Sequence, residues 1–160
     1  MEHSTHNDSM KGSYTTFVSM LAFSFIAMYI TMYLNTYQFD HVYFSLTRFY
    51  MSCLGISAMA VIMFLFMRKM YKNKAKNVAI LVGSFLLFGS ALFLVRAQEP
   101  IGDVLWMKAM IPHHSIAILT SERANIKDPE VKKLANEIIE AQRREISEMK
   151  AMIERLSKKQ

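Results

Sequence analysis

Cysteine is nearly absent from this chain. The 160 residues hold one, Cys53, inside an apolar stretch, so no disulfide framework within the chain is possible and the thiol reads as packing. The arrangements that carry common chemistry are missing too. There is no Gly-rich phosphate loop, no Ser or Cys nucleophile beside a base, and no pair of Glu-x-x-His units of the sort that builds di-iron bundles. No enzyme is expected. Charge is missing over three long stretches: Gly12 to Phe39, Phe49 to Met67 and Val78 to Val95. A helix needs about 20 apolar residues to cross a bilayer, and each run is long enough, the third near the short limit.

Hydrophobic residues make up 52% of the chain. The mean hydropathy is only +0.17, because three apolar runs are averaged with a charge-rich tail. The expected class is an all-α membrane protein: three transmembrane helices at about 14-37, 49-70 and 78-96, within a membrane region 14-97, then a polar helical domain at 98-160. Residues 1-13 read as a disordered cytoplasmic end. The first run is not a cleavable signal, since Tyr33, Asn35 and Tyr37 stand where small residues would mark a cleavage site.

The net charge of +6 is unevenly spread. Its largest excess is the acid-free cluster Arg68, Lys69, Lys72, Lys74 and Lys76, between the second and third runs. Short basic loops stay in the cytoplasm, which places the first loop (Thr36 to Arg48) and the tail outside. The expected location is a bacterial inner membrane, with a cytoplasmic N-terminus and a periplasmic C-terminal domain. No basic stripe for nucleic acid is implied.

In the tail, Asp103 reads as the N-cap of a helix through Trp106 to about Asn125, and Asp128-Pro129-Glu130 as a second helix start. Val131, Leu134, Ala135, Ile138, Ala141, Ile146, Met149 and Ile153 recur at threes and fours, one apolar stripe. The tail is thus an antiparallel hairpin. Two helices bury little core alone, so self-association into a bundle, a homo-oligomer, is expected.

The segment with chemical content runs from Trp106 to His114. Met107, Met110 and His114 share a helical face, His113 borders it, and Pro112 is expected to kink the helix. Folding the hairpin near residue 127 opposes residues whose numbers sum to about 255. That sets Gln142 near the histidines, Glu145 near Met110, and Met149 near Met107 or Trp106. Thioether sulfur favours Cu(I), and imidazole suits copper, zinc and iron. Methionine is also a common core filler, so residue chemistry leaves a metal site and a packed core equally open.

The stretch Met107 to Ile118 (MKAMIPHHSIAI), followed by Leu134-Ala135, Ile138, Gln142, Glu145-Ile146 and Met149, resembles the family called domain of unknown function 305. The resemblance covers about the last third of the chain. It implies ferritin-like helical packing and an association with copper or silver, falling on Met107, Met110, His113, His114 and Met149. After Ala117 the chain reads Ile-Leu-Thr-Ser where many members carry Met-Ala, so one further methionine is missing. The three-span front half also resembles a membrane-bound subgroup.

Together these features give the expected function: a membrane-anchored, extracytoplasmic protein that sequesters, buffers or hands on Cu(I) or Ag(I). Its metal ligands would be the five residues just named, with Gln142 and Glu145 supporting them. Asp40 and His41, in the first loop, are weaker candidates. The alternative is a structural module that oligomerises around a Met/His core without metal. Methionines within the runs (Met28, Met32, Met59, Met63, Met67) read as packing, and Cys53, Ser57 and Ala60 as a close helix contact.

Overall fold

A computed structural model describes residues 2–158, with side chains from Tyr14 to Lys158. The reading of residues 1-13 as a disordered end falls outside the side chains so described. Every regular element among the described residues is helical: α1 (Glu2–Thr31), α2 (Leu46–Met67), α3 (Lys74–Ala97), α4 (Asp103–Arg123) and α5 (Pro129–Ser157), with 3-10 turns at Phe39–His41 and Arg68–Met70. Three segments are long and apolar enough to cross a membrane: Tyr14–Thr31, Leu46–Met70 and Lys74–Ala97.

The first helix stops at Thr31, short of the expected Tyr37. The carbonyls of Thr31 and Tyr33 accept the amides of Leu34 and Thr36, the Thr36 hydroxyl caps the Tyr33 carbonyl, and the Arg48 guanidinium donates to the Met32 carbonyl. Hydropathy registers the lack of charge here but not these local and long-range captures of backbone groups. At the other junction, Asn73 caps α3, its side chain accepting the Lys76 amide at 3.0 Å. Gln98 then ends α3 in the left-handed region, at φ 55°.

The chain divides into two compact units. One holds the chain up to Ile30 with Phe49–Glu99. The other joins Thr31–Arg48 to the residues from Pro100 onward. The loop between the first two apolar helices therefore packs with the tail, although sequence order had grouped it with the membrane region.

In the first unit, α2 buries Ser52, Ile56, Ser57, Ala60 and Phe64, which includes two of the three small residues expected at a close contact. A Cβ built on Gly55 would lie 2.8 Å from the Met28 sulfur, so the missing side chain permits that approach. Phe23, Phe66, Phe85 and Phe93 remain exposed, as suits helices surrounded by apolar solvent. Tyr14, Phe17 and Phe64 close on the buried Tyr71 ring, at centroid distances of 5.0, 5.6 and 5.9 Å.

The Tyr14 hydroxyl donates to Asn77 Oδ1 at 2.8 Å and accepts the Asn73 amide at 3.2 Å. A net contribution of about 1 kcal/mol is typical of one such hydrogen bond. Tyr14→Phe is expected to lower stability by about 1–2 kcal/mol on that basis, measured by thermal unfolding in detergent. An unchanged midpoint would show that this junction does not hold α1 to the α2–α3 connection.

Candidate functional site

The second unit is organised by the seam between α4 and α5. Asp128 caps α5 as expected, its Oδ1 accepting the Glu130 and Val131 amides at 2.9 and 3.0 Å, with Pro129 in the first turn. Asp103 does not cap α4. Gly102 holds that position without a side-chain bond, and Asp103 sits in the first turn, where its charge still suits the positive end of the helix dipole. The α4 helix continues unbroken through the buried Pro112.

Along α5 the residues Ala135, Ile139, Gln142, Ile146, Met149, Ile153 and Leu156 alternate by four and three, the spacing of a seam between two helices. On α4, Val104, Met107, Ile111, His114 and Ile118 do the same. Met107, Ile111, Ile118, Ile146 and Met149 form the buried cluster, with Val104, Met110, Ile139, Ile153 and Leu156 packed against it. The stripe read from the sequence merged two neighbouring files. Val131 and Leu134, in the second file, stay 49% and 56% exposed.

His114 and Gln142 are the polar members of this seam. Glu145 Oε2 lies 3.1 Å from His114 Nδ1, and the Gln142 amide donates to the same oxygen at 3.4 Å. The carboxylate sits off the line of a ring N–H, so the buried Nδ1 has a close charge but no aligned hydrogen bond. Burial pushes the His114 pKa below its usual value; the Glu145 carboxylate opposes that shift and His113 adds to it.

Glu145 thus meets His114, where the sequence had set it beside Met110. The direction of the discrepancy has a physical cause. Helical side chains lean toward their own N-terminus. In an antiparallel pair, that carries an α4 side chain away from the turn and an α5 side chain toward it. Contacting residues therefore have a larger sum than a simple fold-over predicts.

The five methionine and histidine candidates fall into two groups. Met107 and Met149 are 4% and 5% exposed within the apolar cluster. Met110, His113 and His114 lie within one turn of α4. His113 is exposed, Met110 and His114 are half-buried, and the two imidazole centroids are 6.2 Å apart. Met107 is seven residues before His114, roughly 10 Å along the axis at 1.5 Å per residue. Among the described residues no three His, Cys, Asp or Glu side chains gather as a metal-holding group, so a site built here draws on methionine.

A second constellation surrounds Ser115, a residue that the sequence reading left unassigned although it follows the histidine pair directly. Its fully buried hydroxyl accepts the Tyr37 amide at 2.7 Å and lies 3.0 Å from His41 Nδ1. The hydroxyl has one proton and two lone pairs, so with one lone pair taken by Tyr37 it still pairs with Nδ1 in either His41 tautomer. The Tyr37 phenol is hydrogen-bonded to Glu122, which raises its pKa. Arg143 reaches Glu122 at 3.5 Å, and Lys150 reaches Asp40 at 2.5 Å. Asp40 and His41 thus belong to the contacts that dock the first loop on the hairpin.

The profile of one family, Domain of unknown function (DUF305), matches residues 93–159. A protein of Acanthamoeba polyphaga mimivirus, "Uncharacterized protein L153", is 33% identical over 138 residues, covering 84% of this chain and 89% of that one. The chain belongs to the DUF305 family. The viral alignment is about twice as long as the matched stretch 93–159, so the likeness extends into the apolar half and does not stop at the DUF305 hairpin. No solved structure matches.

Two outcomes test the Ser115 contacts of this DUF305 protein. Ser115→Ala leaves the buried His41 nitrogen without its hydrogen-bond partner, at a cost of about 1–3 kcal/mol, and hydrogen exchange should speed up across residues 31–48 first. Burial, reinforced by Lys150 and opposed by Asp40, lowers the His41 pKa below the usual imidazole value. A depressed folded pKa contributes stability that is present above the unfolded value and lost as pH falls through the folded one. Exchange in this segment should therefore rise as pH drops below about 6.5, after correction for intrinsic rates, and His41→Gln should flatten the response. Uniform exchange at pH 7.5 and 5 would refute the assignment.

Proposed function

We propose that this protein is a membrane-anchored, extracytoplasmic binder of a soft monovalent metal ion, Cu(I) or Ag(I), which it sequesters, buffers or hands on. The single observation that carries the reading is Glu145 Oε2 at 3.1 Å from His114 Nδ1. Metal-binding histidines commonly offer their second nitrogen to a carboxylate, which sets the tautomer and aims the other lone pair. The carboxylate charge beside the buried Nδ1 favours the tautomer protonated there, without an aligned hydrogen bond, and leaves Nε2 of His114 as the donor, with His113 and the Met110 thioether on adjacent positions of the same helix. Thioether and imidazole without thiolate suit Cu(I) or Ag(I) better than zinc.

Within this reading Met107 and Met149 position the two helices, and Gln142 and Glu145 orient His114. The basic loop Arg68 to Lys76 on the cytoplasmic side supports a periplasmic hairpin in a bacterial inner membrane. Exposure of Val131, Leu134 and Met152 along α5 supports self-association of the hairpin. Light scattering of the detergent-solubilised chain should give a homo-oligomer, and Leu134→Lys should reduce it to monomer. A monomeric native chain would end that part of the proposal.

The test of binding is elemental analysis of the purified protein after a Cu(I) load, with zinc and iron as competitors. The His113→Ala/His114→Ala variant should lose stoichiometric copper, and Glu145→Gln should weaken affinity by about 10–100-fold. Met107→Leu and Met149→Leu should retain it. A second reading has its own support in the burial of Met107 and Met149: a structural module in which His114, Gln142 and Glu145 fix the register of the hairpin. Under that reading no copper binds, and the double histidine variant loses only stability or assembly. Unchanged copper in the double variant would remove the first reading.

A further inference from the structure

Beside the loop clamp lies a cavity of about 350 Å³, lined by the 37–41 segment on one side and α5 on the other. Ile118 and Ile146 close its base with almost no exposed surface, so its apolar wall is the Tyr37 ring and the stems of Arg143 and Lys150. Its rim carries Arg143, Lys150, Gln38 and Ser147, and no Asp or Glu lines it. Every charge facing the space is therefore positive, and hydrogen-bond donors surround it. The volume falls within the range of small-ligand sites, at roughly 300–1,000 Å³. It exceeds what a bare inorganic anion fills.

Lys150 is the pivotal group. Its ammonium is already held by Asp40 at 2.5 Å, with the lysine side chain 29% exposed. Arg143 is held more loosely, 3.5 Å from Glu122. Both acids sit outside the lining, so they orient the two cations without occupying the space between them. A planar guanidinium is suited to paired contacts with a carboxylate or phosphate, and an ammonium adds a point charge. The Tyr37 ring and the aliphatic stems of the two cations add a requirement that the charge alone does not.

We infer that this cavity binds a small amphiphilic anion, with a phosphate-type head between Arg143 and Lys150 and an apolar body against the Tyr37 ring and the aliphatic stems of the two cations. The site is distinct from the His113/His114 cluster and stands whether or not that cluster takes metal. The head can belong to a free phosphate monoester or to a phospholipid.

The experiment is calorimetric titration of the full chain in zwitterionic detergent with hexyl phosphate, with hexanol and inorganic phosphate as separate probes. Hexyl phosphate should bind saturably, hexanol should not, and inorganic phosphate should bind at least 10-fold more weakly. Arg143→Gln and Lys150→Gln should each reduce hexyl phosphate affinity about 10-fold. Both changes also remove a clamp contact, so Asp40→Asn provides the control. It breaks the same ion pair but leaves the ammonium in the cavity, and it should tighten binding several-fold. Weakening in Asp40→Asn equal to that in Lys150→Gln would overturn the site in favour of a purely structural clamp, as would no saturable binding of hexyl phosphate. Loss of the signal in phosphatidylglycerol nanodiscs but not in phosphatidylcholine would identify an anionic lipid as the occupant. Equal binding in both would identify a free ester.

Discussion

Apolar packing between α4 and α5 holds every polar feature of the second unit in place. Ile111 and Ile118 meet Ile146 and Met149 with almost no exposed surface. Truncating a buried side chain of this kind costs about 2–5 kcal/mol. Exposed ion pairs such as Lys133–Glu137 contribute about 1 kcal/mol at most. The hairpin is therefore set by its seam. His114 opposite Glu145, Ser115 facing the loop, and the cationic cavity beside α5 all follow from the rotation and register that the seam imposes.

One polar layer interrupts that seam. His114 and Gln142 replace apolar side chains at positions where a leucine would pack, with the more exposed Glu145 beside them, a substitution that favours one register over its neighbours at some cost in stability. The same layer orients an imidazole. The two proposed roles of the histidines differ in what the outer nitrogen of His114 does, since Glu145 lies beside the inner one in both.

Docking of the first loop gives the hairpin a third surface. Tyr37, Asp40 and His41 reach Lys150, Glu122 and the buried Ser115 across 74 to 110 residues of sequence. The clamp links the segment that joins the first two apolar helices to the family domain, so a change in α4 at His114 is one residue from the hydroxyl that holds that segment.

Much of this was legible without coordinates. Uncharged runs located three helices, because the length of an apolar helix is a property of local composition. Asp128-Pro129 marked the start of α5, because capping is decided within four residues. The hairpin and its chemically distinct segment followed from periodicity and turn residues. The sequence did not reveal that the first helix stops at Thr31, that Glu145 pairs with His114, or that Ser115 joins Tyr37 and His41. Those depend on side-chain lean between antiparallel helices and on groups far apart in the chain finding one another. The single cysteine and the three charge-free runs determined what kind of protein this is. Which histidine is oriented, and by what, was decided only when two helices packed.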